Sequence, residues 1–304
     1  MPDPFPPREA DDSTQDLPSR PTATASLEVV PSVEVEVAAA THQGRVRHNN
    51  EDHFLVARLA KALRVLATSL PDDGARFSDE QGYLMIVADG MGGAAAGERA
   101  SALAVESVES FMLHALKWFM HVGREENTLI DELRRALERA DRKVFREAQS
   151  DTSLAGMGTT LTWAYSVGDD CYIVHAGDSR AYLFRDGELE QLTTDHTLAQ
   201  LLVEGGELSP EAARKHPRRH VITNVIGGPS ADAEAEIAKV KVRDGDVLLL
   251  CTDGLNEPVA DAEIAATLAR MESPVAAVRR LIDLALRGGG PDNVTVVVAR
   301  YRVP

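Results

Sequence analysis

Three short apolar runs in this chain stop or start at an aspartate. Residues 83–88 (YLMIVA) run into Asp89-Gly90, and residues 247–251 (VLLLC) run into Thr252-Asp253-Gly254. A third run, NVTVVVARY, follows Gly290-Pro291-Asp292. Runs this brief, partly β-branched and bounded by glycine, predict buried strands. Each strand then displays a carboxylate at its mouth, beside a residue that lets backbone approach a ligand closely. Singly, each reads as a turn, because turns select Asp and Gly. The pattern recurs, however: Asp178 follows CYIVHA in AGDSR, and Glu51-Asp52 closes RHNNED. Turns alone do not account for five such sets in one chain. If the strand ends gather at one edge, the carboxylates repel and their pKa values rise unless a cation intervenes. Oxygen donors of this kind suit Mg²⁺ or Mn²⁺, whereas Zn²⁺ prefers the His and Cys that these motifs lack.

Arg47 stands four residues before Glu51 in VRHNNED. Its planar fork holds phosphate by two hydrogen bonds, so an arginine beside metal-binding carboxylates points to an anionic substrate. Charge and composition narrow the field further. The 304 residues carry 32 Lys and Arg against 48 Asp and Glu, a net charge of −16 that argues against general nucleic-acid binding. No stretch approaches the ~20 apolar residues of a membrane span. Cys171 and Cys251 lie inside apolar runs without the paired spacing of a zinc site, and read as buried thiols in a reducing compartment. No charged, apolar and small-residue series opens the chain, which predicts a cytoplasmic protein without a secretory signal.

Seven of the 15 prolines fall within residues 1–31, so residues 1–33 are expected to be a disordered tail. The folded domain is expected over 34–304, opening with a strand in which Val33, Val35 and Val37 alternate with Glu34 and Glu36. Helices are expected over 98–119 and 129–147, the second carrying a stripe of Ile130, Leu133, Leu137, Ala140 and Val144. Residues 158–192 read as an antiparallel meander of four strands. Asp261 and Ser273-Pro274 are expected to cap two further helices, the second ending at Gly288. Helices alternating with antiparallel strands predict a mixed α+β domain with sheets packed under helices.

Six motifs, in order GRVRHNNED, ADGMGG, GMGTT, AGDSR, TDGL and GGPDNVT, make the chain resemble the bacterial metal-dependent serine/threonine protein phosphatases of type 2C, from about Val35 to Arg300. The resemblance implies a four-layer αββα sandwich, two antiparallel sheets face to face with helices outside and a flap near the metal site over about 196–228. It implies that Asp89 bridges two Mn²⁺ or Mg²⁺ ions, with Glu51 and the Gly90 carbonyl serving one and Asp253 and Asp292 the other. Asp178 is implied to hold a weaker third ion together with Asp253. Arg47 is implied to grip the phosphate, and Asp52 and Asn293 to orient ligands and waters. The implied reaction is hydrolysis of phosphoserine or phosphothreonine in proteins by a metal-bridging water attacking in line. Phosphorylated proteins, including a Ser/Thr kinase or its targets, are the implied partners of a monomer that engages neither nucleic acid nor membrane.

Three features depart from the family. Met91 and Ala94 stand where many relatives carry a histidine that could serve as general acid, and His48 reads as a solvated loop residue. Residues 57–82 are longer than usual, with Leu59, Leu63, Leu66 and Leu70 able to line one face of a satellite helix. The Pro-rich tail is the third. In the flap, RKHPRRH at 214–220 supplies Arg218 and Arg219 as candidate substrate-binding residues. One alternative is a catalytically weak relative that binds phosphoproteins or effectors, which the full carboxylate set argues against. A nucleotide-binding domain built on GMGGAAAGE lacks both GxGxxG and GK[ST].

Overall fold

The strands at the centre of this protein are apolar on both sides because each sheet is packed on two faces. The computed structural model describes residues 33–63, 76–114 and 126–304. In chain order these form β1 (Glu34–His42), β2 (Asp52–Leu63), β3 (Arg76–Met91), α1 (Ala94–His114), α2 (Glu126–Ser150), β4 (Gly158–Thr159), β5 (Leu161–Val167), β6 (Asp170–Ala176), β7 (Arg180–Arg185), β8 (Glu188–Gln191), α3 (Leu198–Glu204), α4 (Pro210–Ala213), β9 (Ile226–Gly227), β10 (Glu236–Lys241), β11 (Val247–Cys251), α5 (Asp253–Asn256), α6 (Asp261–Ala269), α7 (Pro274–Arg287) and β12 (Val294–Arg302). One sheet runs β1-β12-β11-β7-β8; the other runs β10-β6-β5-β3-β4-β9, with β2 also paired to β3. The described strand pairs are antiparallel.

Side chains alternate along a strand with period two, and the buried clusters follow that period. On β3, Leu84, Ile86 and Ala88 join α1 and α2 in one core, while Met85 and Val87 join a second. On β12, Val294, Val296 and Val298 pack with α7, while Val297, Ala299 and Tyr301 face the other sheet. The result is the expected four-layer α+β sandwich, helix pair, sheet, sheet, helix pair. Both faces being dry, YLMIVA and VLLLC need no polar positions. No described helix is long and apolar enough to cross a membrane.

Four expectations are corrected. Residues 57–63 are not helical: they continue β2, pairing Ala57 with Leu84, Leu59 with Gly82 and Leu63 with Arg76. Leu55, Ala57 and Leu59 face one core and Phe54 and Val56 the other. This period of two, with ladder hydrogen bonds from β3, outweighs the four-residue spacing of the leucines. Leu66 and Leu70 lie outside the described residues, as does the tail up to residue 32. Nor do β5 to β8 form one meander. β5 pairs with β6 and β7 with β8, but β6 and β7 belong to different sheets, and Gly177-Asp178-Ser179 carries the chain across. Gly177 makes the crossing tight: its φ is +120°, and a Cβ there would lie 2.6 Å from the Thr160 side chain. The third correction is at α6, where Asp261 opens the helix but Ala260 is its N-cap, without a side-chain bond. Ser273 does cap α7, accepting from Ala276 N, and Gly288 closes it. The last correction concerns α1, which starts four residues earlier than expected, at Ala94; residues 115–119 are outside the described set.

On α2 the apolar stripe is buried as expected at Leu133, Leu137, Ala140 and Val144, with Ile130 only partly covered. On α7, Leu281 is fully buried against the β11–β12 face. Leu281→Ala should therefore cost about 2–5 kcal/mol, the range for emptying a close-packed aliphatic site. Urea unfolding with an unchanged m-value checks this; a loss under 1 kcal/mol would show that the helix layer yields around the cavity.

Candidate metal centre

The carboxylates at the strand ends converge. Asp52, the first residue of β2, is the cross-strand partner of Asp89 near the end of β3. Asp253 opens α5 directly after β11, Asp292 precedes β12, and β11 and β12 are neighbours. Asp178 sits in the crossing between sheets. The charge on Asp89 is felt together with those of Asp52, Asp253, Asp178 and Asp292, and Arg47 feels Asp292, Asp89 and Glu51. The acidic residues proposed from sequence are therefore near enough to feel one another's charge, with exposed Arg47 paired to Asp292 beside them.

Their proton affinities carry the mark of crowding. Burial pushes Asp52 up to about 7, opposed by hydrogen bonds from Thr295 and Thr252 and reinforced by Asp253 and Asp292. Asp178 rises to about 8 through burial, then Asp253 and Asp195. Asp253 rises to about 7 through burial, then Asp292 and Glu257. Asp89 is held well above the carboxylate range by burial and four acidic neighbours, and Glu51 is raised by burial despite Arg47. Asp253 lies close enough to Asp89 for its charge to raise the proton affinity of Asp89, a repulsion that a shared proton or a cation relieves. Oδ1 of Asp52 and Oδ1 of Asp253 are buried without a hydrogen-bond partner. Such buried, unpartnered oxygens are costly unless a cation takes them. The donor set, all oxygen, fits Mg²⁺ or Mn²⁺.

Hydroxyls from the quoted motifs hold this frame, although none was singled out in the sequence. Thr252 and Thr295 both donate to Asp52 Oδ2, at 2.8 and 2.7 Å. Thr160 donates its N–H to the Asp89 carbonyl and accepts the Asp89 N–H on Oγ1, both at 2.9 Å. Their signal was weak because threonine at a strand end is ordinary. Asn293 is a loop tie: its Oδ1 accepts from Glu51 N, and its Nδ2 donates to the carbonyls of Gln43 and Asn49, each at 2.8 Å. It thereby fixes where Glu51 stands. Gly90 has a reason that the sequence did not disclose. A Cβ at Gly90 would meet the Gly97 carbonyl at 2.1 Å, and one at Gly97 would meet Glu51 Oε2 at 2.0 Å. The first turn of α1, Glu51 and the end of β3 thus stack without side chains between them.

Arg47 donates to Asp292 Oδ2 at 2.6 Å from an exposed loop. Its pKa is raised, chiefly by that hydrogen bond. His48 on the same loop is exposed. In the segment expected as the flap, α3 and α4 are capped by Thr197 and Ser209. Arg219 lies 3.4 Å from Glu257, just past α5, while Arg218 is exposed. The two arginines therefore part company: Arg219 pairs with Glu257 at the end of α5, and Arg218 faces solvent.

An edge of this kind is built to gather divalent cations and hold an anion beside them. The family profile described as Protein phosphatase 2C matches residues 67–286. The serine/threonine protein phosphatase PstP of Mycobacterium tuberculosis is 40% identical over 264 residues, covering 86% of this chain and 44% of PstP, so this chain spans less than half of that relative's length. The serine/threonine phosphatase stp of Listeria monocytogenes is 32% identical over 259 residues, covering 85% of this chain and 92% of the relative. Among solved structures, the catalytic domain of PstP in complex with two manganese ions matches with a TM-score of 0.69 at 36% identity, covering 89% of this chain and 100% of that one. The chain belongs to the protein phosphatase 2C family.

The raised carboxyls have a consequence for stability without metal. With folded pKa values near 7 to 8 for Asp52, Asp253 and Asp178, against about 4 when unfolded, the folded state holds more protons between pH ~4 and ~8. Stability must fall as pH rises through that window. In chelator, Tm should drop by several degrees from pH 5 to pH 8, and Mn²⁺ at pH 8 should restore it by binding the folded state. A Tm that climbs over the same window in chelator would contradict the crowded-carboxylate account.

Proposed function

We propose that this chain hydrolyses phosphoserine and phosphothreonine in proteins, using two Mn²⁺ or Mg²⁺ ions and a weaker third. The observation that carries this reading is the meeting of Glu51, Asp89, Asp253 and Asp292 with Arg47 at one sheet edge, where buried carboxylate oxygens lack donors. The names of the relatives and the two manganese ions of the PstP structure support it. Glu51, Asp89, the Gly90 carbonyl, Asp253 and Asp292 would hold the two ions, and Asp178 with Asp253 the third. When bound, the ions supply the Lewis acidity that activates water and offsets charge on the phosphoryl oxygens.

The chain's own residues do the remainder. Arg47, exposed and paired with Asp292, would present its guanidinium to the phosphoryl oxygens and take up charge in the transition state. Asp52, locked by Thr252 and Thr295, sets the strand end opposite Asp89, and Asn293 sets Glu51. With Met91 and Ala94 at the positions of the family histidines, no imidazole is assigned to protonate the leaving serine. Phosphorylated proteins, a Ser/Thr kinase or its targets among them, are the substrates of this reading, with the enzyme a monomer. The two buried free thiols agree with a cytoplasmic setting.

Turnover of a phosphothreonine peptide should require added Mn²⁺ or Mg²⁺, and Asp253→Asn should lower kcat more than about 100-fold while circular dichroism stays that of the parent. Undiminished turnover in excess chelator would reject the reading, as would a fully active Asp253→Asn.

The flap arginines separate in a second measurement. Arg218→Ala should raise KM for phosphopeptides with acidic flanks several-fold, leave p-nitrophenyl phosphate unaffected, and lose its effect in high salt. Arg219→Ala gives up a partly exposed pair worth about 0–1 kcal/mol, so its effect should fall on both substrates alike. Equal shifts for the two substrates with Arg218→Ala would leave that residue without a role in recognition.

A further inference from the structure

His175, His196 and Glu236 place two imidazoles and a carboxylate within 4.8 Å of one another, with His175 directly before the AGDSR motif. The residue types are those of a transition-metal site, yet the hydrogen bonds place protons where the metal would bind. The Gly177 N–H can only donate, and it meets His196 Nδ1 at 3.1 Å, where Asn224 Nδ2 also arrives at 3.0 Å. The proton of His196 therefore sits on Nε2, 3.4 Å from Glu236 Oε2. The Thr194 carbonyl can only accept, so His175 carries its proton on Nε2, 3.0 Å away. Thr162 Oγ1 meets the other nitrogen at 2.8 Å. Both Nε2 atoms are thus spent as donors.

What the cluster does follows from what His196 grips. Its backbone N–H donates to the Gly177 carbonyl at 2.7 Å, while its ring accepts from the Gly177 N–H, so a single residue closes both polar groups of Gly177. Its own carbonyl accepts from Thr223 N at 2.8 Å, and its ring accepts from Asn224. The start of the segment 196–228 is joined here to its stretch 221–224, continued by Leu198 N donating to the Val221 carbonyl and by the Thr197–Ile222 bridge. The ring of His175 stacks on His196 with centroids 4.7 Å apart. On its other side the Gly177–Ser179 turn is fixed by Thr160, whose hydroxyl lies 2.7 Å from Ser179 Oγ and whose backbone holds Asp89. Asp178 is the middle residue of that turn.

We propose that His196 is a positioning residue that latches the base of the flap to the Asp178 turn, so that flap order and the placement of this carboxylate change together. The activity arm of the test rests on the phosphatase reading; the structural arm does not. His196→Leu removes the ring acceptor, and His196→Asn returns one, since its Oδ1 occupies the place of Nδ1. Hydrogen exchange on the full chain with Mn²⁺ should show Gly177, Leu198 and Thr223 losing protection together, about 10-fold or more, in His196→Leu and keeping most of it in His196→Asn. Unchanged protection at Gly177 in His196→Leu would overturn the latch. In the activity arm, His196→Leu should lower kcat on a phosphopeptide about 10-fold in the parent but less than about 2-fold in an Asp178→Asn background. Equal losses in both backgrounds would overturn the coupling to Asp178. A parent without metal-dependent turnover would reject the phosphatase reading, and the exchange result alone would then decide the latch.

Discussion

Mutual repulsion among buried carboxylates is the constraint around which this protein is arranged. Asp52, Asp89, Asp178 and Asp253 share an edge with Asp292, and their proton affinities rise because burial and like charge both oppose ionisation. A fold that brings them together must hold them in place against that repulsion until a cation offsets it. The sandwich does so by anchoring Asp52 and Asp89 in ladder hydrogen bonds, Asp253 at a helix start, and Asp178 and Asp292 in short links that end at strands, with a packed core behind them. Metal binding and folding are then coupled, since the cation favours only the arrangement that the sheets impose.

The anchoring is done largely by neutral groups. Thr252 and Thr295 hold one oxygen of Asp52 and leave the other without a partner. Thr160 holds the backbone of Asp89, and Asn293 ties the loop that carries Glu51 and Arg47. Neutral donors at these points orient carboxylates without cancelling their charge, which would weaken their hold on a metal. Arg47 is the cation admitted to the rim, on an exposed loop where its pairing with Asp292 is cheap to exchange.

The crossing from one sheet to the other is the second organising feature. Because β6 and β7 lie in different sheets, the short link between them must pass over the edge where the carboxylates gather. That link carries Asp178. Its tightness, set by Gly177 against Thr160, and its grip by His196 connect the metal edge to the flap through hydrogen bonds between a few residues.

How much of this could be read from the chain alone depends on how local each cause is. Asp89, Asp253, Asp292, Asp178 and Glu51 could be singled out because an acid at the mouth of an apolar strand is a local pattern, and its repetition points to a shared edge. The stripe of α2 and the cap of α7 were legible for the same reason. The course of residues 57–63 was not, because leucines spaced by four allow a helix until β3 supplies a partner, and the partner is distant in sequence. The sheet membership of β5 to β8 was hidden likewise, since a hydrogen-bond ladder leaves no mark on the strands that says which neighbour completes it. The sequence by itself determined the acidic groups, the strand ends that bear them and the oxygen chemistry they share. Only the tertiary structure decided which hydroxyls hold them, why Gly90 must face Gly97, and that His196 serves a turn rather than a metal, because each depends on atoms brought together by chain segments that carry no local record of one another.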